Sequence, residues 1–272
     1  MSSAGGRPPK FPLGLDRVTP AKRAATSAPT TLRPQRPLQE AAAEAQRRSA
    51  PTGVGLDSAG VRARMVARLR ADGLRCEPVL QALARVPRHL FVDSALVVQA
   101  YEDTSLPIGL GQTISKPSVV GRMIELMYAS PAVQARGHLG RVLEIGTGCG
   151  YQAALLSELA TRVVSIERLK PLHDKARDLL APLRRDNLRL VYGDGRLGHP
   201  PSAPYDCIIA AAGGDDLPQA WLDQLSVGGR LVAPMQGGRG GQVLMVVDRH
   251  ESDWVRQVHE AVHFVPLKSG VA

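Results

Sequence analysis

The stretch GLGQTISKPSVVGRM, residues 109–123, places Thr113 and Ser115 in a tight polar turn with two glycines and a proline. An apolar run at helical spacing follows directly: Val119, Val120, Met123, Ile124, Met127. Taken alone, the turn reads as a loop and a helix cap. Farther along, VLEIGTGCGYQ carries a stronger signal. A buried strand runs into Gly146, Gly148 and Gly150, with Thr147 between the first two, and then into a helix. Glycines there let the backbone turn sharply and approach a ligand closely, and the helix start offers free N–H groups.

That pattern points to a nucleoside-bearing cofactor. A dinucleotide fingerprint needs G-x-G-x-x-G, whereas here the third glycine comes one position early and Tyr151 takes the expected place. Glu167 closes the next strand, where a carboxylate can grip ribose hydroxyls. The G-x-G-x-G form, with Glu144 before it and Glu167 after it, fits an S-adenosylmethionine site better than NAD. Asp194, in GDGR at the end of the third strand, adds a second acid facing the same crevice. A bare packing role for the glycines and a simple turn role for Asp194 are the alternatives.

The elements that must position these residues form an alternation. VRARMVARLRADG puts Val61, Met65 and Leu69 four apart, a helix ending near Gly73, and EPVLQALARVPRHLF repeats the pattern up to Pro87. Strands are expected at 141–148, 162–168, 188–194 and 205–212, with helices at YQAALLSELA and 170–184. PQAWLDQLSVGG reads as a helix ending in glycines, and GRLVAPM as a fifth strand. GQVLMVVDR and VRQVHEAVHFVPL read as a terminal hairpin or a pair of edge strands. Strands alternating with helices predict a doubly wound, Rossmann-like α/β domain with a parallel sheet.

Composition narrows the setting. The 272 residues carry a formal charge of +9. Residues 1–57 hold nine basic groups against four acids, so over half of that charge lies in the first fifth. The high pI is partly a tail effect and does not argue for a nucleic-acid-binding domain. Residues 1–56, rich in Pro, Ala, Arg, Ser and Thr, read as a disordered basic tail with a short helix around LQEAAAEAQRR. The enzyme domain is then expected over 57–272. An organelle transit peptide is the competing reading of that start. No run of 18 apolar residues and no secretory h-region is present. Cys76, Cys149 and Cys207 lie far apart, which fits a reducing cytoplasm, and the seven histidines show no ligand spacing, so no metal is expected.

Over residues 58–272 the chain resembles protein-L-isoaspartate O-methyltransferases. The matching segments are VPRHLFVD, AYEDTSLPIGLGQTISKPSVVGRMIELM, VLEIGTGCGYQAALL, VVSIER, GDGR, YDCIIAAA, PQAWLDQLSVGGRLVAPM and AVHFVPLKSG. The glycine turn is shared by many methyltransferases; GQTIS-x-P combined with the FVPL ending is specific to this family. The resemblance implies that Ser115 is the active-site residue, holding a substrate carboxylate, with Thr113 and Ile114 beside it over the methyl donor. It places cofactor contacts on the Gly146–Gly150 turn, on Glu167 and Arg168, on Asp194 and Gly195, and on Gln242. It also implies damaged proteins and peptides as partners, with no nucleic acid or membrane, and a monomer. Three departures stand out. Lys116 and Ser118 replace the residues usual after the serine and the proline, and AAGGDD replaces the usual alanine-proline sequence, leaving that loop's contacts open.

The implied substrate, an L-isoaspartyl residue, exposes an α-carboxylate of pKa about 3.3–3.7, already an anion at pH 7. Methyl transfer to it needs placement rather than a general base. No nucleophile–His–acid set surrounds Ser115 in the sequence, and none is required. Ser115 is expected to donate a hydrogen bond that positions the carboxylate. An extended peptide recognised through its backbone, along an exposed strand edge, is the expected binding mode. Two other readings compete: a methyltransferase of the same fold acting on RNA or a small molecule, and a non-catalytic binding module. AAGG stands where an N-P-P-Y type turn would mark an amine methyltransferase.

Overall fold

The computed structural model describes residues 59–238 and 240–272. The expectations for residues 1–56, a disordered tail with a short helix, lie outside the described residues. Helix α1 (Ala59–Ala71) buries Met65 and Leu69, and α2 (Glu77–Arg85) buries Val79, Leu80, Ala82 and Leu83. Val86 ends α2 in an extended conformation, φ −77° and ψ 118°. The proline that follows it disfavours helical backbone at that position.

The polar turn at 109–115 is a hairpin. Strands β1 (Leu106–Gly109) and β2 (Gln112–Ile114) pair antiparallel through Leu110 and Gly111, at φ 54° and 69°. Two successive positive φ values make the type of tight turn that matches strand twist. Helix α3 (Pro117–Tyr128) follows with its proline in the first turn, where the missing N–H costs nothing. The apolar run lies on its inner side, with Val120, Met123, Ile124 and Met127 buried.

The sheet contains β3 (Arg141–Ile145), β4 (Arg162–Glu167), β5 (Leu188–Tyr192), β6 (Tyr205–Ala210), β7 (Leu225–Gln236), β8 (Gln242–Arg249) and β9 (Trp254–Val262). Their order is β5-β4-β3-β6-β7-β8-β9. The first five pair in parallel, and β8 and β9 close the sheet antiparallel, as the terminal hairpin. Helices α4 (Pro131–Arg136), α5 (Tyr151–Leu159), α6 (Lys170–Leu180) and α7 (Gln219–Gln224) complete the alternation. Side chains along β3 alternate between two apolar layers, Val142 to one and Leu143 and Ile145 to the other. Both faces of the central strands are therefore covered, as in doubly wound folds.

Several strands end two or more residues short of expectation, and two helix ends differ for identifiable reasons. The helix expected through PQAWLDQLSVGG ends at Gln224, and Leu225 to Gln236 is strand. The register of β6 against β7 shifts between Tyr205 and Cys207, so residues 226–229 bulge out of the ladder. Gly228 at φ 75° and Gly229, whose Cβ would lie 2.8 Å from the Ser226 carbonyl oxygen, make that bulge possible. Helix α6 stops at Leu180, and a single 3₁₀ turn carries the chain to Arg184 at φ 47°.

Candidate active site

The strand order reverses between β3 and β6, and open α/β sheets bind ligands at the carboxyl ends of such strands. Ile145, Gly146 and Ala211 line a cleft there. The glycine turn is stitched to β4: the N–H groups of Gly146 and Thr147 donate to the Ile166 carbonyl at 2.8 and 3.1 Å. Gly148 N–H then donates to Glu167 Oε2, and Leu169 N–H to Glu167 Oε1, both at 2.9 Å. Glu167 is 5% exposed, so two backbone donors aim and hold an almost buried carboxylate at the cleft wall.

Glu144 does not reach the cleft. It is fully buried, and it pairs across the ladder with Ser165. The Ser165 hydroxyl donates to the Glu144 carboxyl, and the Thr147 and Ser165 hydroxyl oxygens are 2.6 Å apart. Burial is the main reason that the Glu144 carboxyl is pushed up to about 8, so it is protonated at pH 7. Glu144 thus supports the glycine turn from beneath, through two hydroxyls. The sequence signal for this support is the serine inside the apolar run RVVSIE, Ser165.

The hairpin supplies the facing wall. Ile108, Leu110, Gln112, Thr113, Ile114 and Ser115 look across at Val265 to Lys268. Thr113, Ser115, Ala211 and Val265 also line a second groove, which leaves the cleft between the start of α3 and residues 261–265. Ser115 stands where the two meet. Its carbonyl accepts a hydrogen bond from Arg88 Nη2 at 2.7 Å. Arg88 has no exposed surface; its Nε donates to the Ala100 carbonyl at 2.8 Å, and its guanidinium carbon lies 4.8 Å from the centre of the Tyr151 ring. Burial lowers its pKa, but a guanidinium stays charged. VPRHLF was part of the resemblance, yet nothing in its spacing shows that Arg88 reaches Ser115.

Gly195 and Arg168 line the cleft, as expected. Asp194 is beside it and already engaged: Oδ1 accepts from Arg196 N–H at 2.8 Å and Oδ2 from Gly270 N–H at 2.6 Å. Gly150, at φ 93°, caps α5 against Leu180 and is not part of the wall. Gln242 is also outside the wall. Its Oε1 accepts from Phe264 N–H at 2.6 Å, and a Cβ on Gly213 would stand 2.4 Å from its Nε2. The AAGGDD loop completes this support: Gly213 N–H donates to the Val265 carbonyl and Leu267 N–H to the Gly213 carbonyl. Gln242 and Gly213 therefore hold the segment 264–267 in place.

Two potentially reactive groups in the wall are neutral at pH 7. Burial pushes the Cys149 thiol up to about 11 and the Tyr151 hydroxyl up to about 12. The site is built to hold and align ligands, with one carboxylate, hydroxyls and backbone N–H groups, and offers no activated nucleophile.

The model of the protein-L-isoaspartate(D-aspartate) O-methyltransferase family matches residues 61–272. The chain is 67% identical to a protein-L-isoaspartate O-methyltransferase of Methylibium petroleiphilum, over 98% of this chain and 99% of that protein. A protein of the same name from Leptothrix cholodnii is 62% identical over 97% and 95%. A solved protein-L-isoaspartate O-methyltransferase, 27% identical, superposes with a TM-score of 0.69 over 77% of this chain and 67% of its own. A putative member from Plasmodium falciparum, solved with S-adenosyl-L-homocysteine, shares the fold with a TM-score of 0.65 at 20% identity, over 76% and 98%. The chain belongs to the protein-L-isoaspartate(D-aspartate) O-methyltransferase family.

Proposed function

We propose that this protein transfers a methyl group from S-adenosyl-L-methionine to the free α-carboxylate of L-isoaspartyl residues in damaged proteins and peptides. The observation that carries the reading, beside family membership, is the position of Ser115 at the junction of the glycine-turn cleft and the second groove. A donor in one and a peptide in the other meet at that hydroxyl.

The cleft suits the donor. Glu167 uses one lone pair of each oxygen on backbone N–H groups and keeps acceptor capacity for ribose hydroxyls. Gly146 and Gly148, at φ 89° and 57°, form a cradle that side chains would fill: a Cβ on Gly148 would sit 3.3 Å from Ile108 Cδ1. Ile145, Ile166 and Leu169 supply apolar wall for a purine. Bound there, S-adenosylmethionine supplies an electrophilic methyl group.

The chain's own residues then have a positioning task. The hydroxyl of Ser115 donates to the isoaspartyl carboxylate and fixes one oxygen toward the cleft. The hairpin and the 265–268 segment flank that point from opposite sides. The carboxylate is already ionised at pH 7, so no residue removes a proton. The methyl ester leaves the site; a backbone amide nitrogen of the substrate then attacks the ester carbonyl, expels methanol and closes a succinimide, and water reopens that ring in part to normal aspartate.

The reading assigns cofactor contacts to Thr113, Ile114, Gly146, Thr147, Gly148, Glu167, Arg168 and Gly195, and indirect support to Glu144, Gly150, Asp194 and Gln242. It takes residues 57–272 as the catalytic unit, in keeping with a family match that starts at residue 61. It includes a monomer acting in the cytoplasm, in keeping with three dispersed free cysteines. Among the described residues no helix is long and apolar enough to cross a membrane. The decisive experiment offers labelled S-adenosylmethionine and paired peptides that differ only in Asp versus isoAsp. Label in the isoAsp peptide alone establishes the reaction. Donor binding without isoAsp labelling would sink it and make RNA the next substrate to try.

A further inference from the structure

The groove beyond Ser115 carries a charge pattern that the reaction itself does not require. Among the described residues, the only ionisable side chains that line it are Lys116 and His263, one from the start of α3 and one from the stretch after β9. Both are exposed, and among the described residues Lys116 makes no ion pair. Lys116 follows Ser115 in sequence, and both residues line this groove. His263 supplies a ring N–H whichever tautomer it adopts.

Farther out the pattern reverses. Val119, Ala261 and Val262 line this groove and also the next hollow, between α1, α3 and β9. That hollow holds Asp72, Glu125 and Glu260 with Arg122. Arg122 is already paired to Glu125 at 2.9 Å and to Glu260 at 2.8 Å. A peptide leaving Ser115 along this path meets a basic rim first and an acidic region second.

We propose that Lys116 and His263 form a specificity subsite that favours isoaspartyl segments with an acidic residue next to the damaged position. The same path disfavours acidic residues set several positions farther along. The occupant is the flanking chain of the substrate peptide, chosen by charge complementarity and by continuity of the groove with the Ser115 junction. The inference rests on the proposed isoaspartyl reaction. Exposed charges act through water and salt, so the effect is a modest preference, about two- to fivefold in kcat/KM, larger at low ionic strength.

The test uses the full chain, S-adenosylmethionine and isoAsp peptides carrying Glu, Gln or Lys at each adjacent position, and separately Glu at more distant positions. The ratio of kcat/KM for the Glu and Lys peptides is read within each protein, with the Gln peptide as reference. The expected ratio favours Glu on at least one side for the wild type, falls toward one in Lys116→Gln and His263→Gln, and inverts in Lys116→Glu. Distant Glu residues are expected to lower kcat/KM. Equal rates for all adjacent charges, or a preference that persists unchanged in Lys116→Glu, would overturn the subsite while leaving the reaction in place. Failure to label even the Gln peptide would instead overturn the reaction on which the subsite depends.

Discussion

Arg88 Nη2 and the Ser115 carbonyl oxygen are 2.7 Å apart, joined by a hydrogen bond from a fully buried guanidinium. The same side chain holds the Ala100 carbonyl and stacks on Tyr151, which lines the donor cleft. One residue thus couples the substrate turn to the donor wall. Arg88→Lys keeps a charge but loses the fork. We expect kcat/KM for an isoAsp peptide to fall about tenfold or more, through charge-assisted hydrogen bonds of about 1.5–3 kcal/mol. Steady-state kinetics with calorimetric donor binding should show a raised peptide KM and a nearly unchanged donor Kd. Loss of thermal stability alone, with kcat/KM intact, would make Arg88 a scaffold residue only.

Ser115→Ala removes the hydroxyl at the junction of the two grooves and nothing else. The expected loss in kcat/KM is about 10- to 100-fold, the range for one hydrogen bond to a charged group. Donor affinity should hold. An unchanged rate for the variant would move the carboxylate to the turn's backbone N–H groups.

Gly195→Ala places a methyl carbon 2.5 Å from Ile145 Cγ2, at the floor of the cleft. A γ-methyl on a strand side chain has little freedom to yield, so the wall must shift. Donor affinity is expected to fall at least about tenfold, with about 1–3 kcal/mol of lost stability. Isothermal titration and denaturant unfolding read the two effects separately. Wild-type donor affinity would show that the floor repacks freely.

The buried Glu144 gives a pH signature. Its folded pKa of about 8 lies above the unfolded carboxylate value, so folding takes up a proton between the two. Its contribution is most favourable at acid pH and is lost as pH rises to about 8, at up to about 1.4 kcal/mol per pH unit. Glu144→Gln should flatten this fall and be more stable than wild type at pH 9. Parallel stability–pH curves for the two proteins would show that Glu144 is not the titrating group.

A chain beginning at Asp57 should methylate a short isoAsp peptide with a kcat/KM within about twofold of the full chain. A large loss would place part of the site in residues 1–56.

Much of this architecture was legible because it rests on local chemistry. Three glycines after a buried strand located the cleft, and an acid at the end of the next strand located Glu167. The period of α3 separated its buried from its exposed side. Expectation and structure part where tertiary contacts decide. Glu144 carries the same carboxylate as Glu167, but alternation along β3 turns it into the core, toward Ser165. Gln242 follows the fifth strand as expected, yet it faces Phe264 because the Gly213 loop leaves room there. SVGG looked like a helix end because glycines end helices as readily as they form bulges. Arg88 and Ser115 lie 27 positions apart, and no periodicity connects them.

The cleft takes its walls from segments as distant as Ile108 and Lys268, with the sheet between them. No fragment of the fold contains it, so a partly folded chain has nothing with which to grip the methyl donor. The donor therefore recognises only the completed protein, and saturating it adds to the free energy of unfolding, about 2.7 kcal/mol at a hundred times Kd. Occupancy by the methyl donor therefore adds to the equilibrium stability of this repair enzyme as well as supplying its reaction.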